Sequence, residues 1–310
     1  MSYDPFERGP HPAGVRTHLA ESSRWPIELW YPAQEKGADD VFATARGERT
    51  QAATRDAAAV AGDFPLVVYS HHSGGHRRAA TYLCTHLASH GYRVAALDHA
   101  ETVRGDLQRP ATESEPARET RIARLIAARV PDLRFLLDEL RATRVGAVGH
   151  SLGGWTVLQA ADEDPRIAAV VALAPGGAKN PKPGILPLEL RFGRSVPTLF
   201  IAAEKDVSLP LEGMRELFSR AQPPKQLLVI PRADHLHFVD GVEEEHEAVR
   251  AMTFTGALAW ISREMRPIGE LLPGNEAHRL IRGLTVAHFD AQLKGNADAR
   301  RFLAAKPGPG

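Results

Sequence analysis

The sequence predicts an α/β protein with a mostly parallel central sheet and helices on both faces. Three observations predict it. Apolar runs alternate along the chain with helical patterns, which is the order of a doubly covered sheet. The runs are continuous in Val, Ile, Leu and Ala, as strands buried on both faces must be. The chain has 310 residues, 43% of them hydrophobic, enough for one sizeable core.

Taken in order, "GVRTHLAES" and "RWPIELWYP" read as an antiparallel strand pair. A surface excursion rich in Pro, Gly and charge follows to about Gly62. "FPLVVYSHH" is a buried strand, 78–90 a helix, "YRVAALDH" a strand and 117–141 a long amphipathic helix. "RVGAVGH" is a strand leading into a helix at 152–161. "RIAAVVALAP", "VPTLFIAAEKD" and "KQLLVIPRADH" are further strands, separated by a Pro/Gly/Lys-rich segment at 175–195 and a helix at 211–221. One domain is expected over 1–310, with its core at 15–293, pocket-covering loops at 101–118 and 175–195, and a frayed "KPGPG" tail.

Lysine plus arginine equals aspartate plus glutamate at 38 each, so no net field favours nucleic acid or an anionic membrane. A small-molecule site is the expectation that remains. Cys84 is the only cysteine, which excludes an internal disulfide and suits a reducing compartment. The start lacks a basic segment followed by an apolar core, and no run reaches the roughly 18 apolar residues of a membrane span. A soluble, cytoplasmic protein without membrane insertion is therefore expected. Oligomeric state has no signature in the sequence.

Gly149-His150-Ser151-Leu152-Gly153 places a serine between glycines where a buried strand gives way to a helix. G-x-S-x-G in that context is a sharp elbow: the glycines let neighbouring backbone approach, and the serine hydroxyl projects from the sheet's C-terminal edge. A glycine-rich turn whose serine merely caps a helix is the plainer reading. As a nucleophile Ser151 needs a base and an orienting acid, expected in the chain order nucleophile, acid, histidine. Asp206 closes one later strand and His235 the next. Asp206 could instead be a turn residue before 211–221, and His237 competes with His235 as base, otherwise packing beside the pocket. Glu204, two residues before Asp206, points the same way but from deeper in the sheet.

An oxyanion formed by such an attack needs preorganised donors. The backbone N–H of Leu152, next after the nucleophile, is one. The other is expected from "SHHSGGHR", by position the N–H of Ser73 with His72 the near alternative. His72, His150 and Trp155 are further candidates for the pocket. His71, His72 and His76 in that loop, and His86 with His90 on a helix, raise the question of a metal. A helical His-x-x-x-His site acting on peptides usually carries a glutamate inside the motif, and here Leu87, Ala88 and Ser89 intervene. No metal and no cofactor are expected.

These residues resemble the α/β-hydrolases over nearly the whole chain, from about Val15 to Leu293. Within that superfamily, "YSHHSGGHR", "GHSLGGWTVLQAADEDPRI" and "HLHF" are similar to the branch holding platelet-activating-factor acetylhydrolases and bacterial proteins described as predicted dienelactone hydrolases. The resemblance implies a serine carboxylic ester hydrolase with its histidine at His235 and an oxyanion donor at Ser73. The acetylhydrolase acid falls on Ala174, which cannot serve, so Asp206 takes the role. Dienelactone hydrolases use cysteine where this chain has Ser151. The expected activity is therefore serine-type hydrolysis of small or short-chain esters through an acyl-enzyme. A small-amide or peptide hydrolase on the same residues, and a non-catalytic binding protein of this fold, are the alternatives.

Overall fold

The strand pair at the N-terminus is β1 (Ala13–Leu19) and β2 (Pro26–Pro32), antiparallel with Ala13 opposite Pro32 and Leu19 opposite Pro26. The structure is a computed structural model and describes residues 3–19, 25–104 and 112–305. Part of the 101–118 loop, residues 105–111, and the "KPGPG" tail lie outside the described residues.

The stretch read as a surface excursion is more ordered than its composition suggests. It holds a hairpin of β3 (Asp40–Thr44) and β4 (Gly47–Gln51), then the short β5 (Thr54–Arg55), which pairs parallel with β1. These strands are two to five residues long and, apart from the buried Phe42 of β3, mostly lack an apolar face, so periodicity does not reveal them. Polar bonds hold them: Trp30 Nε1 donates to Gln51 Oε1 at 2.6 Å, and Arg55 bridges Asp40 at 2.6 Å and the buried Glu28 at 2.9 Å.

From there strands and helices alternate: β6 (Leu66–Ser70), α1 (Thr81–Ser89), β7 (Arg93–Leu97), α2 (Ala100–Arg104), α3 (Glu115–Glu139), β8 (Val145–His150) and α4 (Leu152–Glu163). Next come β9 (Ile167–Leu173), β10 (Thr198–Ala203), α5 (Leu211–Arg220) and β11 (Lys225–Ile230), and then α6 (Val242–Arg250), α7 (Ile261–Glu264), α8 (Gly274–Leu293) and α9 (Ala297–Ala304). The main sheet runs β11-β10-β9-β8-β6-β7-β2-β1-β5. Strands β6 to β11 are mutually parallel, and β2 joins β7 antiparallel.

Period-2 alternation divides the strand side chains between two cores. Val68, Ala147, Val170, Ala172 and Phe200 face the core shared with α3, α4 and α5. Val67, Tyr69, Val148, Val171 and Ile201 face the one shared with α1 and α8. Every inner strand is thus buried on both sides, which explains its continuous apolar sequence. The parallel arrangement collects the loops after β6, β8, β10 and β11 at one edge, where ligands bind in open sheets of this kind.

Candidate active site

Ser151 sits between β8 and α4 with φ +58° and ψ −116°, a conformation that non-glycine residues rarely adopt. Tight packing enforces it. A Cβ on Gly149 would lie 2.2 Å from the Gly153 carbonyl oxygen, and one on Gly153 only 2.0 Å from the Ser70 carbonyl oxygen. The elbow therefore tolerates glycine alone at both positions, while the Ser151 N–H is tied to Leu173 O at 2.9 Å.

His235 arrives from the far side of the sheet, on a short 3-10 turn His235–Phe238 just after β11. Asp234 caps that turn through its carboxylate, accepting from the His235 N–H at 2.5 Å. His235 Nε2 lies 3.0 Å from Ser151 Oγ, and Nδ1 lies 2.6 Å from Asp206 Oδ2. Nδ1–H donates to the carboxylate, which leaves Nε2 free to accept the serine proton. Asp206 is fixed in turn, its Oδ1 accepting from Ser208 N–H at 2.9 Å and Leu209 N–H at 2.8 Å. The structure thus brings Ser151, His235 and Asp206 into one hydrogen-bonded run.

Several residues singled out in the sequence stand elsewhere. His237 is buried and faces away: its Nε2 bonds Leu272 O at 2.8 Å and its Nδ1 accepts from Asp234 N–H at 2.9 Å, so it braces the turn and does not shape the pocket. Trp155 is off the cavity wall too, because its Nε1 donates to Glu189 O at 2.7 Å and holds the 175–195 segment from beneath. His150 is also off that wall, fully buried in a row of rings with His72 at 5.3 Å, His235 at 4.7 Å and Phe238 at 5.2 Å. Glu204 is not inside the sheet: β10 ends at Ala203, and Glu204 accepts from the Arg232 N–H on the exposed turn. Ala174, aligned with the acetylhydrolase acid, is fully buried. His72, Ser73 and Leu152 do line the cavity beside Ser151 and His235.

That cavity has a volume of about 1180 Å³. Its wall includes Leu186 and Leu188 from the 175–195 segment and Glu115 and Arg118 from the 101–118 segment. Phe254 and Leu258, after α6, complete it, and no local sequence signal marks that contribution. Arginines at the rim are neutralised, Arg46 by Glu245 at 2.9 Å, Arg49 by Glu244 at 2.9 Å and Arg118 by Glu115 at 3.3 Å. Among the described residues no three His, Cys, Asp or Glu side chains converge as metal ligands, and no helix is long and apolar enough to cross a membrane.

Burial lowers the imidazoles around the nucleophile. Desolvation, with the charge of His235, pushes His72 down to about 3 and holds His150 well below the ordinary histidine value. Burial would lower His235 as well, but the carboxylate of Asp206 outweighs it and the net direction is upward. His235 is thus the imidazole of this group whose protonated form is favoured over the ordinary histidine, while His72 and His150 are held neutral. A base must be unprotonated, so the acid limb of kcat/KM is expected above 6.5, the unperturbed value, with activity lost as pH falls through it. A pH–rate profile on a neutral ester checks this; a limb well below 6.5 would be the opposite result.

Fold and elbow together define an α/β-hydrolase. A family model described as PET hydrolase-like matches residues 75–265, and the chain belongs to that family. A second, platelet-activating factor acetylhydrolase isoform II, matches residues 31–115. The platelet-activating factor acetylhydrolase of Cavia porcellus is 26% identical over 219 residues, covering 57% of this chain and 48% of that protein. The chain thus spans about half the length of that relative. The bis(hydroxyethyl) terephthalate hydrolase of Streptomyces coelicolor is 26% identical, covering 71% of this chain and 62% of that one; cutinase 1 of Thermobifida cellulosilytica is 24% identical, covering 71% and 73%. Among solved structures, a ferulic acid esterase from Streptomyces cinnamoneus superposes with a TM-score of 0.67 at 24% identity, over 93% of this chain and 92% of that one, a likeness of fold.

Proposed function

We propose that the chain is a serine-dependent carboxylic ester hydrolase working through an acyl-enzyme. The observation that carries this reading is the run Ser151–His235–Asp206, at 3.0 and 2.6 Å, opening on the cavity. Ser151 Oγ attacks the ester carbonyl carbon as its proton passes to His235 Nε2, and Asp206 holds the tautomer and stabilises the imidazolium. The developing oxyanion faces the N–H groups of Leu152 and Ser73. Nε2 returns the proton to the alkoxide, releasing the alcohol and leaving the acyl group on Ser151. Water, deprotonated by the same nitrogen, then attacks the acyl carbon, and the acid departs with Ser151 restored. These side chains and water suffice for the cycle, without a cofactor.

The substrate in this reading is a neutral small-molecule ester. Leu186, Leu188, Leu209 and Leu236 offer apolar walls, and among the described residues Arg46, Arg49 and Arg118 at the rim are each paired with a carboxylate, which disfavours an anionic substrate. A relative named as a bis(hydroxyethyl) terephthalate hydrolase fits a small-molecule ester substrate. Cytoplasmic placement belongs to the same reading, and the single buried thiol, Cys84, is compatible with it.

A p-nitrophenyl ester panel tests it. Each methylene moved from water onto the leucine walls contributes about 0.8 kcal/mol, so kcat/KM is expected to rise up to roughly fourfold per added carbon from acetate to butyrate and then level off. Ser151→Ala is expected to fall to background throughout. Anilides outrunning the matched esters would favour an amide hydrolase, and inertness of the folded native chain toward every member would favour a binding protein.

A further inference from the structure

We infer that Arg129, buried beneath the active site, is a positioning residue that aims and strengthens the oxyanion-binding N–H groups by gripping the carbonyl oxygens of the His71–His72–Ser73 loop. The inference rests on the proposed reaction, with the Ser73 N–H, or its near alternative at His72, as the second donor.

Arg129 lies on α3 and is fully buried. Its Nη1 donates to His71 O at 2.6 Å and its Nη2 to His72 O at 3.3 Å, and the guanidinium pairs with Glu101 of α2, equally buried. One planar fork thus holds two consecutive peptide carbonyls. His72 O accepts two further bonds, from His71 Nδ1–H at 2.7 Å and Gly75 N–H at 3.1 Å. A carbonyl gripped by three donors does not rotate. In a planar trans peptide the N–H points opposite the C=O. Fixing His71 O therefore fixes the N–H of His72, and fixing His72 O fixes the N–H of Ser73, both directed away from the guanidinium. His72 and Ser73 are the loop residues that line the cavity.

The same helix supplies a second brace. Asp132, three residues on from Arg129, accepts from His99 Nδ1–H at 3.1 Å and from Ala100 N–H at 3.0 Å. His99 Nε2 then accepts from the Ser70 hydroxyl at 2.8 Å, and the His99 N–H donates to His71 Nε2 at 3.1 Å. That last bond leaves His71 with its proton on Nδ1, the atom that grips His72 O. Burial, reinforced by the nearby Arg129 charge, keeps both imidazoles neutral, so the tautomers persist. Burial pushes Arg129 down only to about 10, and it stays cationic at neutral pH.

Desolvating an ion pair this fully is costly, and apolar side chains could fill the same space. Its place is explained by what it holds. A cationic donor on a carbonyl also polarises that peptide group and makes its N–H a stronger donor. Part of the Arg129 charge is thereby felt by the oxyanion through one peptide bond.

Arg129→Lys keeps the charge, but a single ammonium cannot reproduce the planar fork. Losing one oxyanion donor outright costs 10²–10³ in kcat, so misaiming one is expected to cost about 10–100-fold, with KM for p-nitrophenyl butyrate within roughly twofold of native. Affinity for butylboronic acid, which forms a tetrahedral adduct on Ser151, should fall by the same factor. The acid limb of the pH profile should stay in place, because His235 and Asp206 are untouched. Circular dichroism monitors folding. Where the lysine variant does not fold, Glu101→Ala, which removes the carboxylate that Arg129 Nη2 pairs with and so frees one end of the fork, is expected to lose boronate affinity at least about threefold at unchanged KM. A folded variant whose kcat/KM and boronate affinity both match native overturns the inference, as does a loss that lies in KM alone. A native enzyme inert to both ester and boronate would instead overturn the proposed function, a separate result.

Discussion

Asp206→Asn is expected to fold normally and to lose about 10⁴-fold in kcat, the scale known for this change in a serine-protease triad. The reason is a forced tautomer. Two backbone N–H groups, from Ser208 and Leu209, occupy Oδ1, so an asparagine must keep its oxygen there and turn its NH₂ toward His235 Nδ1. Nδ1 must then accept, the ring proton moves to Nε2, and Nε2 can no longer take the proton of Ser151. The carboxylate that raises His235 against its burial is lost as well, so residual activity should show its acid limb at lower pH. Glu204→Gln is the control: Glu204 is exposed and pairs with Lys205 on the turn, and near-native turnover is expected. Steady-state kinetics with circular dichroism checks both, and collapse in Glu204→Gln with normal turnover in Asp206→Asn would reverse the assignment.

Gly153→Ala is expected to damage the fold itself. The new methyl would lie 2.0 Å from the Ser70 carbonyl oxygen and 2.6 Å from that of His71, both backbone atoms of the strand and loop beneath the elbow. Neither can withdraw without moving the Ser73 loop or the Ser151 turn. A loss of about 3 kcal/mol or more, at the upper end of overpacking costs, is predicted, with activity falling alongside. Gly193→Ala meets nothing within 4 Å and should stay within about 0.5 kcal/mol of native. Thermal melts of the two variants make the comparison, and equal stability would contradict the packing account of the elbow.

Legibility in the sequence followed the range of the interactions. The parallel core was readable because two-sided burial leaves uninterrupted apolar runs such as "RIAAVVALAP". The elbow was readable because its glycines are demanded by contacts near Ser151, and Asp206 and His235 because each follows a strand end at the functional edge. The hairpin of β3 and β4 was not, since Gln51, Asp40 and Arg55 anchor it through polar bonds that leave no periodic trace. Trp155 and His150 looked like pocket residues by proximity to Ser151, but α4 and β8 carry them into the interior. The braces on the oxyanion loop were equally hidden. Arg129 and Asp132 lie on a helix far along the chain from His71, and only folding reveals what their side chains meet.

The proposed reaction requires Ser151 to be an activated nucleophile. A fluorophosphonate probe followed by intact-mass and peptide mass spectrometry tests it most directly, because a serine with its proton drawn toward His235 attacks phosphorus as it does a carbonyl carbon. One adduct per native chain, located on Ser151 and absent from Ser151→Ala, is the predicted result. A folded native chain that remains unlabelled, or equal labelling of Ser151→Ala, would contradict it.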